Sequence, residues 1–398
     1  MRHVILPMMG IFLSCVLAHA GEEKMQTFYV GTMNAPTGNP EIAPSEGIYR
    51  VELNRQTGEL QFRGLAGKAK GPGFIVKHPT LGVYYTVSGN EDGTSKEGLV
   101  IAWKKESDGS LSRINTMNSG GLGACHLAVS PCGKFLGVAN YSSGQLTMFS
   151  LAADGSLEKL TETFTFEGHG PNAARQEKPH AHYFHTDNAG KFAICCDLGT
   201  DRIHLFQYDS EKNQWIVHPN QPFATVASGA GPRHAIFAPG GEYLYVLNEL
   251  SCTLEAFLYS PEKGTLTSVQ TSPTLPVGFQ GINKAAAIDI HPSGKFLYVS
   301  NRGANLITVF AVDPTPIRGD KHASGIVLEP IQYVPSGGDA PRFIGLDPTG
   351  EFLFSCNKKT HNIVLYRVNQ ETGKLTETGQ NVILPWPVGM APGDLIDN

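Results

Sequence analysis

Six side chains stand out among those in this sequence that could move protons or grip anions: His182, Arg233, Glu249, Arg302, Arg342 and Lys358. An imidazole or a carboxylate can accept a proton near neutral pH, and a guanidinium presents a planar fork that matches carboxylate and phosphate groups. All six are well separated along the chain, so a shared site needs a fold that returns repeatedly to one place. Other recognisable chemistry is missing from the sequence. There is no GxSxG elbow, no glycine-rich phosphate loop in a strand-and-helix context and no CxxC pair. The spacing of His and carboxylate residues is not diagnostic of a metal site, so neither a metal nor a cofactor is expected.

What brings the chain back is a repeated phrase. It reads Ser130-Pro-Cys-Gly-Lys-Phe-Leu-Gly-Val-Ala-Asn140, then Ala238-Pro-Gly-Gly-Glu-Tyr-Leu-Tyr-Val-Leu-Asn248, His291-Pro-Ser-Gly-Lys-Phe-Leu-Tyr-Val-Ser-Asn301 and Asp347-Pro-Thr-Gly-Glu-Phe-Leu-Phe-Ser-Cys-Asn357. Weaker copies start at His78 and Asp187. The anchoring glycines are Gly82, Gly133, Gly190, Gly241, Gly294 and Gly350, a mean period of about 54 residues, or about seven units in the chain.

Each unit has the same local chemistry. An apolar strand enters a Pro-x-Gly turn, where Pro fixes φ and Gly supplies φ > 0. A β-branched and aromatic strand leaves it and ends at Asn or Asp, and two further strands follow. Four strands per unit of this length is a propeller blade. The expected fold is all-β: a seven-bladed β-propeller with four antiparallel strands per blade. The opening strand, Thr27–Thr32, resembles the second strand of a blade, and Ile48–Leu53 the third. The missing innermost strand is expected from the C-terminus, around Pro387–Ala391, closing the ring and removing a free edge.

This topology sorts residues by face. The start of each inner strand and the end of the second share the end of the channel opposite the Pro-Gly turns. Eight residues before the anchor glycine stand Cys125, His182, Arg233, Ala286 and Arg342; eight after it stand Tyr141, Leu198, Glu249, Arg302 and Lys358. A requirement of the fold would repeat one residue type, so this unequal charged set points to a ligand site. Seven after the glycine stand Asn140, Asp197, Asn248, Asn301 and Asn357, which suits a strand-ending turn. Asn140 and Asp197, with His126 and His234 beside the inner-strand starts, remain substrate-contact candidates. The segment Gly168-His-Gly-Pro-Asn172 with Arg175-Gln-Glu177 reads as a surface connection with the option of covering the site.

Composition narrows the class. The chain has 398 residues with 45 Gly and 26 Pro, which argues against a helical bundle. A formal net charge of −5 gives no reason to expect nucleic acid or an anionic membrane as partner. Residues 1–20 carry Arg2, an apolar run from Val4 to Leu17 and small residues at Ala18 and Ala20. That is the pattern of a cleaved export signal, leaving 21–398 as one propeller unit, periplasmic or secreted and free of the membrane. Cys125, Cys132, Cys195, Cys196, Cys252 and Cys356 do not form a disulfide framework: vicinal Cys195 and Cys196 should point to opposite faces of one strand.

Several of these segments resemble one known family. Gly229-Ala-Gly-Pro-Arg-His234 with Asn248-Glu249, Pro179-His-Ala-His-Tyr-Phe184 with Asp197-Leu-Gly-Thr-Asp-Arg202, Ser300-Asn-Arg302 and Ala340-Pro-Arg-Phe343 are similar to the propeller lactonases. That family contains the propeller-type 6-phosphogluconolactonases and the fungal carboxymuconate cyclases. The resemblance covers nearly the whole chain from Thr27 and implies opening of a sugar lactone, with family functional residues at His182, Arg233, Glu249 and Arg302. In that reading Glu249 or His182 activates water, while Arg233 and Arg302 hold the oxyanion or a substrate anion. Arg342, Lys358, His234, His126, Asn140 and Asp197 are then the substrate contacts. Two alternatives stay open: a muconate-type lactonising cyclase, and a non-catalytic exported propeller that binds a partner or cell-surface polymer.

Overall fold

In the computed structural model, residues 24–89, 97–313 and 327–397 are described. The expected leader and the cleavage point before Gly21 lie outside them. The described residues form seven antiparallel sheets, six of them four-stranded, and all but the first are built from consecutive strands. The fourth adds a short fifth strand, Phe223–Thr225, which pairs with Arg202–Asp209 beside Gln214–Val217. Among the described residues there is no helix.

The second strand of a typical blade is buried along its whole length, as in Phe135–Asn140, Phe192–Asp197, Tyr243–Asn248 and Phe352–Asn357. A strand covered on both faces reads as a continuous apolar run rather than an alternating one, which is why the repeated phrase is legible. Each blade packs face to face on the next, giving an apolar cluster between every adjacent pair. Cys195 packs toward the third blade and Cys196 toward the fifth, as their adjacency in one strand requires. All six cysteines from Cys125 onward are free thiols.

Closure follows the expected path. The last strand, Pro387–Asp397, occupies the innermost position of the first sheet and pairs antiparallel with Lys24–Thr32. Gln26 Nε2 donates to the Gly393 carbonyl at 3.0 Å, and Asp394 binds Lys77 of the second blade at 3.0 Å. The two ends of the chain therefore share one sheet, and that sheet is tied to its neighbour. At the turns, Gly133, Gly190, Gly241, Gly294 and Gly350 have φ between 68° and 76°, the left-handed region the Pro-x-Gly turn requires. Gly82, anchor of a weaker copy, does not adopt a positive φ.

Candidate functional site

The inner strands carry an irregularity that the repeat alone does not show. In the third, fourth, fifth and seventh blades the ladder skips one residue: Cys125, His182, Arg233 and Arg342. In the sixth it skips Ala286 and Ala287. The position eight before each of these anchor glycines is thus a β-bulge. A bulged residue leaves the ladder and its side chain is re-aimed, a device common beside active sites.

The bulge at Arg233 faces the end of its partner strand, where Pro232 pairs with Asn248 and Glu249 follows. Glu249 is buried and holds three guanidinium groups. Its Oε1 accepts from Arg175 Nη2 at 2.7 Å, and its Oε2 accepts from Arg302 Nη2 at 2.8 Å. Arg233 Nε lies 3.0 Å from the same Oε2. Arg302 also donates to the Ala285 carbonyl at 3.0 Å, and Arg233 Nη1 to that of Ala286. Burial alone would push the Glu249 carboxyl up, but Arg302 and Arg233, with the hydrogen bond from Arg175, hold it well below the usual carboxylate range. A carboxylate so stabilised is a weak proton acceptor.

His182 lies beside this cluster, its ring 5.4 Å from that of His234 and 5.5 Å from that of Tyr141. Its Nδ1 is buried without a hydrogen-bond partner. Burial first, then Arg233, push its pKa well below the ordinary histidine value, so the imidazole is neutral. His234 shifts the same way and stands with Nε2 3.0 Å from Arg233 Nη1.

Above these residues the channel opens into a cavity of about 340 Å³ whose wall includes Cys125, Arg233, His234 and Arg342, with Ser88 and Glu97 across from them. Arg342 and Lys358 have no carboxylate within ion-pair reach among the described residues. Burial lowers both pKa values, and neighbouring cations lower them further: Arg302 acts on Arg342, and Arg342 acts on Lys358. Lys358 Nζ rests over the Trp386 ring at 5.2 Å.

The structure therefore brings His182, Arg233, Glu249, Arg302, His234, Arg342 and Lys358 to one end of the channel. His126 lies deeper, its ring held at a tilt between Phe74 at 4.1 Å and Tyr183 at 4.2 Å. Asn140 and Asp197 are fully buried and engaged in structural bonds, Asp197 within its own blade and Asn140 both within its blade and to the outer strand of the preceding one. Asn140 donates to Thr147 Oγ1 at 3.1 Å and accepts from Ser119 Oγ at 2.8 Å. Asp197 accepts from the His180 and Gly199 amides at 2.6 and 2.9 Å and from Thr200 Oγ1 at 2.6 Å. Those bonds are the strand-ending role expected at their position.

Arg175 and Glu97 were not among the candidates. Arg175 belongs to the connection read mainly as surface, and the structure puts that connection over the site. Its neighbour Gln176 anchors it, donating to the Leu198 carbonyl at 2.9 Å and to Asp201 at 2.7 Å. Glu97 falls outside the repeated positions, so no periodic signal marks it.

The family model described as "Lactonase, 7-bladed beta-propeller" matches residues 27–392. The chain belongs to this lactonase family. A 6-phosphogluconolactonase of Bacillus subtilis (strain 168) is 33% identical to it over 86% of this chain and 93% of that protein. A crystal structure described as a putative 6-phosphogluconolactonase from Bacteroides fragilis is 29% identical, with a TM-score of 0.80 over 93% of this chain and 98% of that one. The periplasmic gluconolactonase of Pseudomonas aeruginosa shares the fold at a TM-score of 0.82 and 24% identity, over 94% of this chain and 100% of that one.

Proposed function

We propose that this lactonase-family propeller hydrolyses a sugar lactone that carries an anionic substituent, as a phosphorylated gluconolactone does. The observation that carries the anionic substituent is Arg342 in the cavity wall, with Lys358 beside it and Arg302 close enough to act on both, and neither Arg342 nor Lys358 ion-paired to a carboxylate among the described residues. Like charges held together are relieved by a bound anion. Name-level similarity points the same way: the B. subtilis relative is a 6-phosphogluconolactonase.

In this reading Arg342 and Lys358 hold the substituent. Arg233 and Arg302 polarise the lactone carbonyl and stabilise the oxyanion that forms when water adds. Glu249 fixes those two guanidiniums and Arg175 in place, and His182, neutral and with a free ring nitrogen, takes the proton from water and returns it to the departing ring alkoxide. The lactone C–O bond breaks and the product is the open-chain acid. We also infer that the chain is exported after cleavage before Gly21.

The deciding experiment is a lactone panel with purified protein, corrected for spontaneous hydrolysis. Phosphorylated and unphosphorylated gluconolactone are compared by kcat/KM. A preference of at least tenfold for the phosphorylated ring is expected. Equal rates would remove the anionic substituent from the proposal, and no rate above background on any lactone would remove hydrolysis.

A further inference from the structure

Partway along the channel the rings of Phe74, His126, Tyr183 and His234 gather into a waist, with successive centroids 4.1, 4.2 and 5.1 Å apart and Phe74 6.3 Å from both His234 and Phe343. Below the waist is a second chamber of about 310 Å³. Its walls are largely apolar, with Val76, Leu127, Ile288 and Ile344 contributed by four blades.

Asp289 is the carboxylate of this chamber. Its Oδ1 accepts from the Ile290 amide at 2.8 Å, and its Oδ2 accepts from the Leu346 amide of the next blade at 2.7 Å. The group is therefore fixed in place, and each oxygen keeps a second lone pair. Among the described residues no cation lies within ion-pair reach of it. The ammonium of Lys77, at the rim, is taken by Asp394 at 3.0 Å. Burial pushes the Asp289 carboxyl up to about 6, with only the two amides opposing. The imidazoles facing the chamber, His126, His185 and His234, are all pushed down by burial and are neutral at pH 7.

We propose that this lower chamber is a second ligand site, distinct from the lactone site, that takes a small organic monocation such as a protonated amine. Its charge would be met by Asp289 and its alkyl or methyl groups by the faces of Phe74, Tyr183 and Phe343. An unpaired carboxylate in an aromatic, apolar enclosure complements an ammonium in both charge and ring contact. The volume suits a ligand of few heavy atoms. No group of three or more metal-ligating side chains occurs among the described residues, so the donor set is too small for a metal ion. Phe74 and His234 line both chambers, so the two sites share a wall of rings.

The test is calorimetric titration of the purified protein with propylammonium and tetramethylammonium chlorides at pH 8, against sodium chloride. Saturable binding of at least one ammonium is expected, weakened at least tenfold by Asp289→Asn, with lactone turnover unchanged. Phe343→Leu, which leaves the carboxylate intact, should weaken binding several-fold and decides the matter should Asp289→Asn fail to fold. Lowering the pH to 5 should also weaken binding in the folded wild type, because Asp289 gains a proton. Lys77, Tyr183, Tyr298 and the three histidines also face this region, and among them only the histidines would gain charge, opposing the cation further. Absence of saturation, equal affinity in both variants, or the same heat from sodium chloride would overturn the proposal.

Discussion

Arg233 Nε and Glu249 Oε2 lie 3.0 Å apart with both side chains sealed from solvent. Burial, Arg302 and Arg342 all act against the charge on Arg233, and Glu249 is the first group that favours it. The carboxylate is thus the counter-ion on which a cluster of cations depends, and its removal should be felt in folding as well as in turnover.

Glu249→Gln should lower the unfolding free energy by about 3–5 kcal/mol, the range for removing one partner of a buried ion pair. Urea titration of both proteins measures it, together with lactone turnover. An unchanged midpoint with lost activity would assign Glu249 to proton transfer instead.

Arg342→Met should raise KM for an anionic lactone by about 10–100-fold, the scale of one lost hydrogen bond to a charged group, and leave kcat within a few-fold. Steady-state kinetics separate the two constants. A fall in kcat at constant KM would place Arg342 on the transition state rather than on the substituent.

His182→Asn should reduce kcat by about 10²–10⁴-fold, the usual share of general-base catalysis. Because burial and Arg233 depress the His182 pKa, wild-type activity should stay level as pH falls through 6.5 and drop only further into acid. A rate that halves near pH 6.5 would point to a different, solvent-exposed base.

Acid should destabilise the fold. His126, His182, His185 and His234 all have folded pKa values below the ordinary histidine value because of burial. Below about pH 6.5 the unfolded chain binds more protons at these sites, and stability falls with pH. Asp289, raised to about 6, and Glu255, raised by burial, work the other way between their folded and unfolded values, but they are two groups against four. The melting temperature should therefore decline from pH 7 to pH 5; a rise would show that the two carboxyls dominate.

Export predicts a mature chain beginning at Gly21 and found outside the cytoplasm. Intact-mass measurement on protein from the native cell checks this, and a cytoplasmic chain retaining Met1 would reverse it.

Much of this molecule was legible because its middle strands are buried on both faces. The run from Phe296 to Asn301 and its counterparts had no freedom to vary, so the period, the blade count and the C-terminal closure could be read directly. The charged residues at the channel end could be collected by counting from the turn glycines, and Arg233, Glu249 and Arg302 do meet. Arg175 could not, since it belongs to a connection with no counterpart in other blades, and its contact with Glu249 spans 74 positions. Nor did the count reveal that Glu249 would be enclosed by three guanidiniums, which changes the chemistry expected of it. A repeat reports where a side chain emerges, not what will face it.

The skipped residue at the head of five inner strands has a consequence for how such a protein can change. A residue outside the ladder contributes no strand pairing, so the sheet places little restriction on its identity: the same socket holds a thiol, an imidazole, two guanidiniums and a methyl group. Ala286 is the vacant one, and its carbonyl receives Arg233 from the neighbouring blade. The ring thus behaves as a rack of interchangeable fittings, in which a new substrate preference can be reached by exchanging one fitting while the frame that carries the others is left alone.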